Sequence, residues 1–170
     1  KSENVISFSS KTIPVLAILR TNLLANKNTQ IVYTGELPSC FDAEIVQSIY
    51  EYQFDLKRVE SVNEVSEFDG STIFISKKDK ISTLSLNSNI DFFINLHPRL
   101  GSVLVVNGEQ NENYISEIQH VRRRETIAMT PINSLVALKM LTENSSIETE
   151  KNDTETNKKL VLNSIKEITG

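Results

Sequence analysis

The chain is short of the residues on which most recognisable chemistry depends. It has a single cysteine, Cys40, so neither an internal disulfide framework nor a cysteine-built zinc site can form. That usage fits a reducing compartment, and a cytoplasmic location is the expectation. Five glycines are too few, and too scattered, for a dinucleotide or mononucleotide fingerprint, because a phosphate-cradling loop needs backbone N–H groups free to approach the anion. The two histidines, His97 and His120, have no partner at metal-ligand spacing. No apolar run reaches the roughly 20 residues of a bilayer-spanning helix; the longest, 13–24, is interrupted by Pro14 and Arg20. Positive charge is not in excess either. A net charge of -4 disfavours a broad nucleic-acid footprint or an anionic-membrane surface. No metal and no cofactor is therefore expected, and the reading leans against an enzyme. The sequence opens on Lys1, so it is read as a fragment or a processed product whose leader, if any, has gone.

What is present is the patterning of a layered α/β domain. Ile90–Leu96 and Gly101–Gly108 are short apolar runs rich in β-branched and aromatic residues, bounded by turn-formers. That is the signature of strands buried on both faces at a sheet centre. Ile73, Phe93, Val103 and Val105 are the expected core. The link 97–100 is far shorter than the dozen residues of a parallel crossover, so these two strands are either an antiparallel pair or not neighbours. Around them, Val5–Phe8 can form a short strand. Thr12 can cap a helix over 13–26, with Pro14 in its first turn and Leu23 and Leu24 on its apolar face. Gln30–Thr34 reads as a strand, and Asp42 caps a helix whose apolar face is Ala43, Ile45, Val46, Ile49 and Tyr50. Phe54–Val59 alternates with one charged face, which suits an edge strand. Gly70–Ser76 is another strand, and 62–68 sits where a crossover belongs.

Beyond the central strands, Asn111–Arg124 is a polar helix with a stripe of Tyr114, Ile115, Ile118 and Val121. Thr126–Met129 is a candidate last strand, and Pro131 opens a helix with Leu135 and Leu138 facing inwards. The composition then turns to Glu, Asn, Thr, Ser and Lys, which cannot bury enough apolar surface to offset ordering entropy. The expected organisation is an α/β domain over 1–142, a flexible polar linker over 143–159 and a terminal amphipathic helix over 160–170. Within the domain, strands alternating with helices predict three layers around a mostly parallel sheet of five to six strands, in a flavodoxin- or Rossmann-like layout with one antiparallel strand.

Receiver domains share that layout, but the residues do not carry their chemistry. Magnesium-bound phosphoryl transfer needs carboxylates at strand ends. Here those ends read Thr34-Gly35-Glu36, Ser76-Lys77-Lys78 and Asn107-Gly108-Glu109, with lysines where the third strand should present acid. Such a domain would be a degenerate receiver. The candidate ligand- or partner-binding residues are Arg122, Arg123 and Arg124, whose guanidiniums can grip phosphate or carboxylate, and His97, Arg99 and Glu36 at strand ends, where open α/β sheets place ligands. Each has a plainer reading. The arginines can offset the dipole of a helix end, and His97 can close a turn. Cys40 is expected to be buried and inert. The leading functional reading is a non-catalytic regulatory or scaffolding domain that binds a protein partner within a larger chain or complex. The alternative is a small-ligand or nucleotide-binding domain built from the strand-end loops and the arginine run.

Overall fold

The computed structural model describes residues 4–77, 86–97 and 100–124, with Leu135 and Leu138, and of Arg124 only the backbone. Its elements are β1 (Val5–Phe8), α1 (Ile13–Leu24), β2 (Thr29–Tyr33), α2 (Ala43–Tyr50), β3 (Asp55–Arg58), β4 (Ser71–Ser76), β5 (Phe92–His97), β6 (Gly101–Val106) and α3 (Glu112–Arg124). The six strands form one sheet in the order β1-β6-β5-β4-β2-β3. β2 pairs in parallel with β3 and β4, and β4 in parallel with β5. β6 is antiparallel to both β5 and β1, so it alone runs against the other strands. The short β5–β6 link allows nothing else. This is the mostly parallel α/β sheet with one reversed strand that the patterning predicts.

Register alternates the side chains between two faces. On one face Ile31, Ile73, Ile75, Phe92, Ile94 and Leu104 pack against Ile18 and Leu19 of α1, Val46 of α2, and Tyr114 and Ile118 of α3. The other face carries a continuous apolar row. Val32 lies beside Phe74, Phe74 beside Phe93, Phe93 beside Val105, and Val105 beside Val5. The Phe74 and Phe93 rings stack at 6.0 Å. This row is covered by Val59, Val65, Ile90 and Leu100, from irregular segments that include a 3-10 turn at Val62–Glu64. The sheet is thus the middle layer.

Ile73, Phe93 and Val103 are buried as expected, whereas Val105 is only partly so. The reason is position: β6 lies one strand from the sheet edge, not at its centre, and on its outer side only the short β1 flanks it. Other expectations are corrected. Thr12 stands at the N-cap of α1 as expected, but its side chain makes no capping bond; the Ser10 hydroxyl instead accepts from the N–H groups of Thr12 and Ile13. α1 stops at Leu24 and Asn26 turns left-handed (φ 50), so the last-turn Leu23 and Leu24 are exposed rather than packed. Asp42 does cap α2, its carboxylate accepting from the Ile45 N–H at 3.1 Å. Of the apolar face expected on α2, however, only Val46 is buried. Cys40 is exposed. Leu135 and Leu138 are helical but exposed, not turned inwards. The expected strand at 126–129, the linker 143–159 and the helix 160–170 lie outside the described residues.

Candidate functional site

The carboxyl ends of the parallel strands form one edge of the sheet, where a doubly wound fold can hold a ligand. The chain leaves β2 towards β3 on one side and returns to β4 on the other, so the topological switch falls between β2 and β4. Polar residues mark that point. Thr34 follows β2 one position beyond the Tyr33–Ile75 pair, and its hydroxyl donates to the Ser76 hydroxyl at 3.1 Å. Ser76 in turn lies beside Asn95, and both are 2 % exposed. Gly35 follows at φ +71 with open space around it, and Glu36 stands on the loop to α2.

His97 ends β5 on the same edge and registers with Gly101 of β6. Its Nδ1 accepts from the Leu100 backbone N–H at 3.1 Å. The imidazole thereby closes the hairpin turn, which is the plainer of its two sequence readings. Gly101 completes the turn at φ +95. A Cβ there would run into the backbone carbonyls of Phe8 and Ser9, the approach that lets Ser102 hold the Ser10 carbonyl. Arg99 lies outside the described residues.

The arginines sit at the end of α3. That helix starts beside Asp91, whose carboxylate accepts from Asn111 Nδ2 at 2.8 Å and from the Thr72 N–H at 2.9 Å, at the amino edge of β4 and β5. Thirteen residues of helix span ~20 Å, about the height of the sheet, and return the chain towards the carboxyl edge. There Arg122 donates to Gln119 Oε1 at 3.4 Å, and Arg123 Nε donates to the Gln119 carbonyl at 3.3 Å. Both bonds stay within α3, as dipole-offsetting cations at a helix end do. Among the described residues the buried Arg122 Nε has no hydrogen-bond partner. Glu36, His97 and Arg122 thus share one edge but belong to a loop, a hairpin turn and a helix end.

The amino edge holds a separate buried network. Tyr114 Oη donates to Asn22 Oδ1 at 2.7 Å, and Asn22 Nδ2 donates to Thr29 Oγ1 at 2.8 Å. Burial pushes the Tyr114 phenol above its usual range, and the nearby Asp91 carboxylate adds to the shift. The Lys27 ammonium lies 5.7 Å from the centroid of the same ring. A cleft of about 440 Å³ opens at this edge between the end of α1 and the start of β3, lined by Leu23, Lys27, Gln53 and Asp55 among others. A groove of about 290 Å³ runs between α1 and α3, past Arg20, Glu117 and His120. Neither lies at the carboxyl edge. Among the described residues no cluster of three or more His, Cys, Asp and Glu side chains could hold a metal ion, and no helix is long and apolar enough to cross a membrane.

The feature that sequence reasoning missed lies at the β3 end. Ile45, Ile49 and Tyr50 of α2 are 47 %, 69 % and 53 % exposed, and Leu56 of β3 is 41 % exposed. All four side chains of β3 are exposed, and among the described residues β2 is its only neighbour in the sheet. The usable signal was the edge character of β3, since a helix over the last strand of a sheet has little beneath it to bury its apolar face.

No family model matches the chain, and no curated protein matches it in sequence. Several solved structures resemble it in shape, two of them as follows. A putative L-allo-threonine aldolase from Listeria monocytogenes EGD-E aligns with a TM-score of 0.47 at 9 % identity over 82 % of this chain. An O-acetylhomoserine sulfhydrylase of the methionine biosynthetic pathway of Wolinella succinogenes aligns with a TM-score of 0.41 at 11 % identity, also over 82 %. The chain spans 53 % and 57 % of those two proteins.

Proposed function

We propose that the chain is a non-catalytic α/β module, regulatory or scaffolding in a larger chain or complex, that binds a protein partner through the α2–β3 end of its sheet. The supporting observation is the run of exposed large apolar side chains on two consecutive elements, Ile45, Ile49 and Tyr50 followed by Leu56. Exposed apolar surface gathered in one region marks an interaction site, whereas single apolar residues scattered over a surface do not. The polar groups at the strand ends favour this reading by their occupations, because Thr34 and Ser76 bond each other, His97 closes a turn, and Arg123 bonds its own helix. The test replaces Ile45 and Ile49 together with Lys. Loss of a specific partner protein from the purified complex, with the fold intact by circular dichroism, is the expected result. Undiminished capture of the same partner by Ile45→Lys/Ile49→Lys would move the surface elsewhere.

The second reading is a small-ligand site at the β2–β4 switch, favoured by the hydroxyl pair Thr34–Ser76 beside Gly35 and Glu36. A thermal-shift screen against nucleotides and anionic metabolites distinguishes the two. Stabilisation that disappears in Thr34→Val/Ser76→Ala would support the ligand site over the protein surface.

A further inference from the structure

The outer edge of β3 is self-complementary, and we infer that it pairs with β3 of a second copy of this chain to make one sheet continuous across the dimer. The inference rests on the reading of the α2–β3 end as a protein-binding surface, and it commits to one occupant. It begins with the backbone. The Val59 N–H donates to the Tyr33 carbonyl, and Leu56 registers with Ile31 and Arg58 with Tyr33. In a parallel ladder this phase turns the backbone groups of Asp55, Lys57 and Val59 towards β2 and those of Leu56 and Arg58 outwards. The carbonyl of the preceding residue, Phe54, is held by the Gln47 side chain at 2.9 Å, so the open stretch has a defined start. Among the described residues these outward groups have no strand partner, and groups of this kind template the addition of a strand.

A two-fold axis perpendicular to the sheet keeps each face on the same side, so antiparallel pairing must match residues of the same face. Leu56 opposite its own symmetry mate satisfies that rule and uses the outward N–H and C=O of Leu56 for the two central hydrogen bonds. Asp55 then falls opposite Lys57 of the second copy, and Lys57 opposite Asp55, on the face that also carries Val32. These are non-hydrogen-bonded pairs, in which side chains approach most closely and opposite charges stabilise. Shifting the axis to Lys57 would set lysine against lysine. A charged edge strand usually serves to repel other strands; in this register the same charges attract, and the exposed Leu56 meets its mate on the face that carries Ile31.

Sedimentation equilibrium of this chain from micromolar to millimolar concentration tests the inference. The wild-type mass is expected to rise from one chain towards two. Asp55→Lys should hold it at one chain, and the charge swap Asp55→Lys/Lys57→Asp should restore the rise. Both positions are exposed, and circular dichroism verifies the fold. A variant that does not fold is replaced by hydrogen exchange on the wild type, where slowing of the Leu56 and Arg58 amides at high concentration is expected and unchanged exchange would overturn the pairing. A single-chain mass at every concentration would overturn it. A dimer indifferent to Asp55→Lys, or a folded swap variant that stays monomeric, would do the same. None of these results alters partner capture by Ile45 and Ile49, so the inference can fail while the protein-binding reading stands.

Discussion

Tyr114 and Asn22 lie 92 positions apart in the chain, and a 2.7 Å hydrogen bond from the phenol to the amide oxygen fastens α3 to α1. Asn22 is 1 % exposed and passes the contact on to Thr29 at the start of β2. The bond therefore ties the two helices to the first parallel strand at the amino edge, away from the proposed partner surface.

Replacing Tyr114 with Phe should cost about 1–3 kcal/mol, because it leaves a buried amide oxygen without its donor. Urea denaturation measures the loss. A pH series adds an independent check. The folded-state phenol titrates above its ordinary value of 10.0, so its contribution is complete below that pH and is lost as pH rises through the higher folded value. The wild type should lose stability in that alkaline range more steeply than Tyr114→Phe.

The two apolar strands should respond unequally to truncation. Phe93 is fully buried and stacks on Phe74, so Phe93→Ala should cost about 3–5 kcal/mol. Val105, in the adjacent register position but only partly buried, should cost well under half of that. Chemical denaturation of both variants decides the matter, and equal losses would contradict the placement of β6 near the edge.

The hairpin between β5 and β6 offers a third test. Gly101→Ala should destabilise by at least about 1–3 kcal/mol, since it combines a left-handed backbone with a carbonyl collision. His97→Ala removes the side-chain acceptor of the Leu100 N–H and should cost about 1 kcal/mol, with His97→Asn recovering part of it. An unchanged stability in His97→Ala would detach His97 from the turn and revive it as a binding residue.

Arg122→Gln/Arg123→Gln should lower the melting temperature only slightly, a loss of about 1 kcal/mol or less from surface and dipole contributions. Partner capture should be unaffected at low and high salt. Salt-sensitive loss of binding with an intact fold would make the arginines an interface after all.

The sheet was legible because its signals are local. Short β-branched runs, Pro14 in a first helical turn, the cap at Asp42, and a link too short to cross over fix the strands and the reversed β6. The exposed apolar patch on α2 and β3 was not, because periodicity finds an apolar face without saying what covers it. Ile45, Ile49 and Tyr50 have the spacing of a buried stripe, yet α2 lies at the β3 end of the sheet and only Val46 is buried. The same limit applies to Leu23 and Leu24 in the last turn of α1 and to the exposed Cys40. His97 was ambiguous for a different reason: a turn acceptor and a ligand-facing imidazole look alike until the Leu100 N–H is placed.

The most direct test of the central claim is site-specific photo-cross-linking in cells, with the reactive side chain at position 49 on α2 and, in a second protein, at position 36 beside the β2–β4 switch. A protein-binding α2–β3 end predicts a discrete polypeptide adduct from position 49 that fades when Ile45 becomes Lys, and little from position 36. Adducts from position 36 with none from position 49 would contradict it.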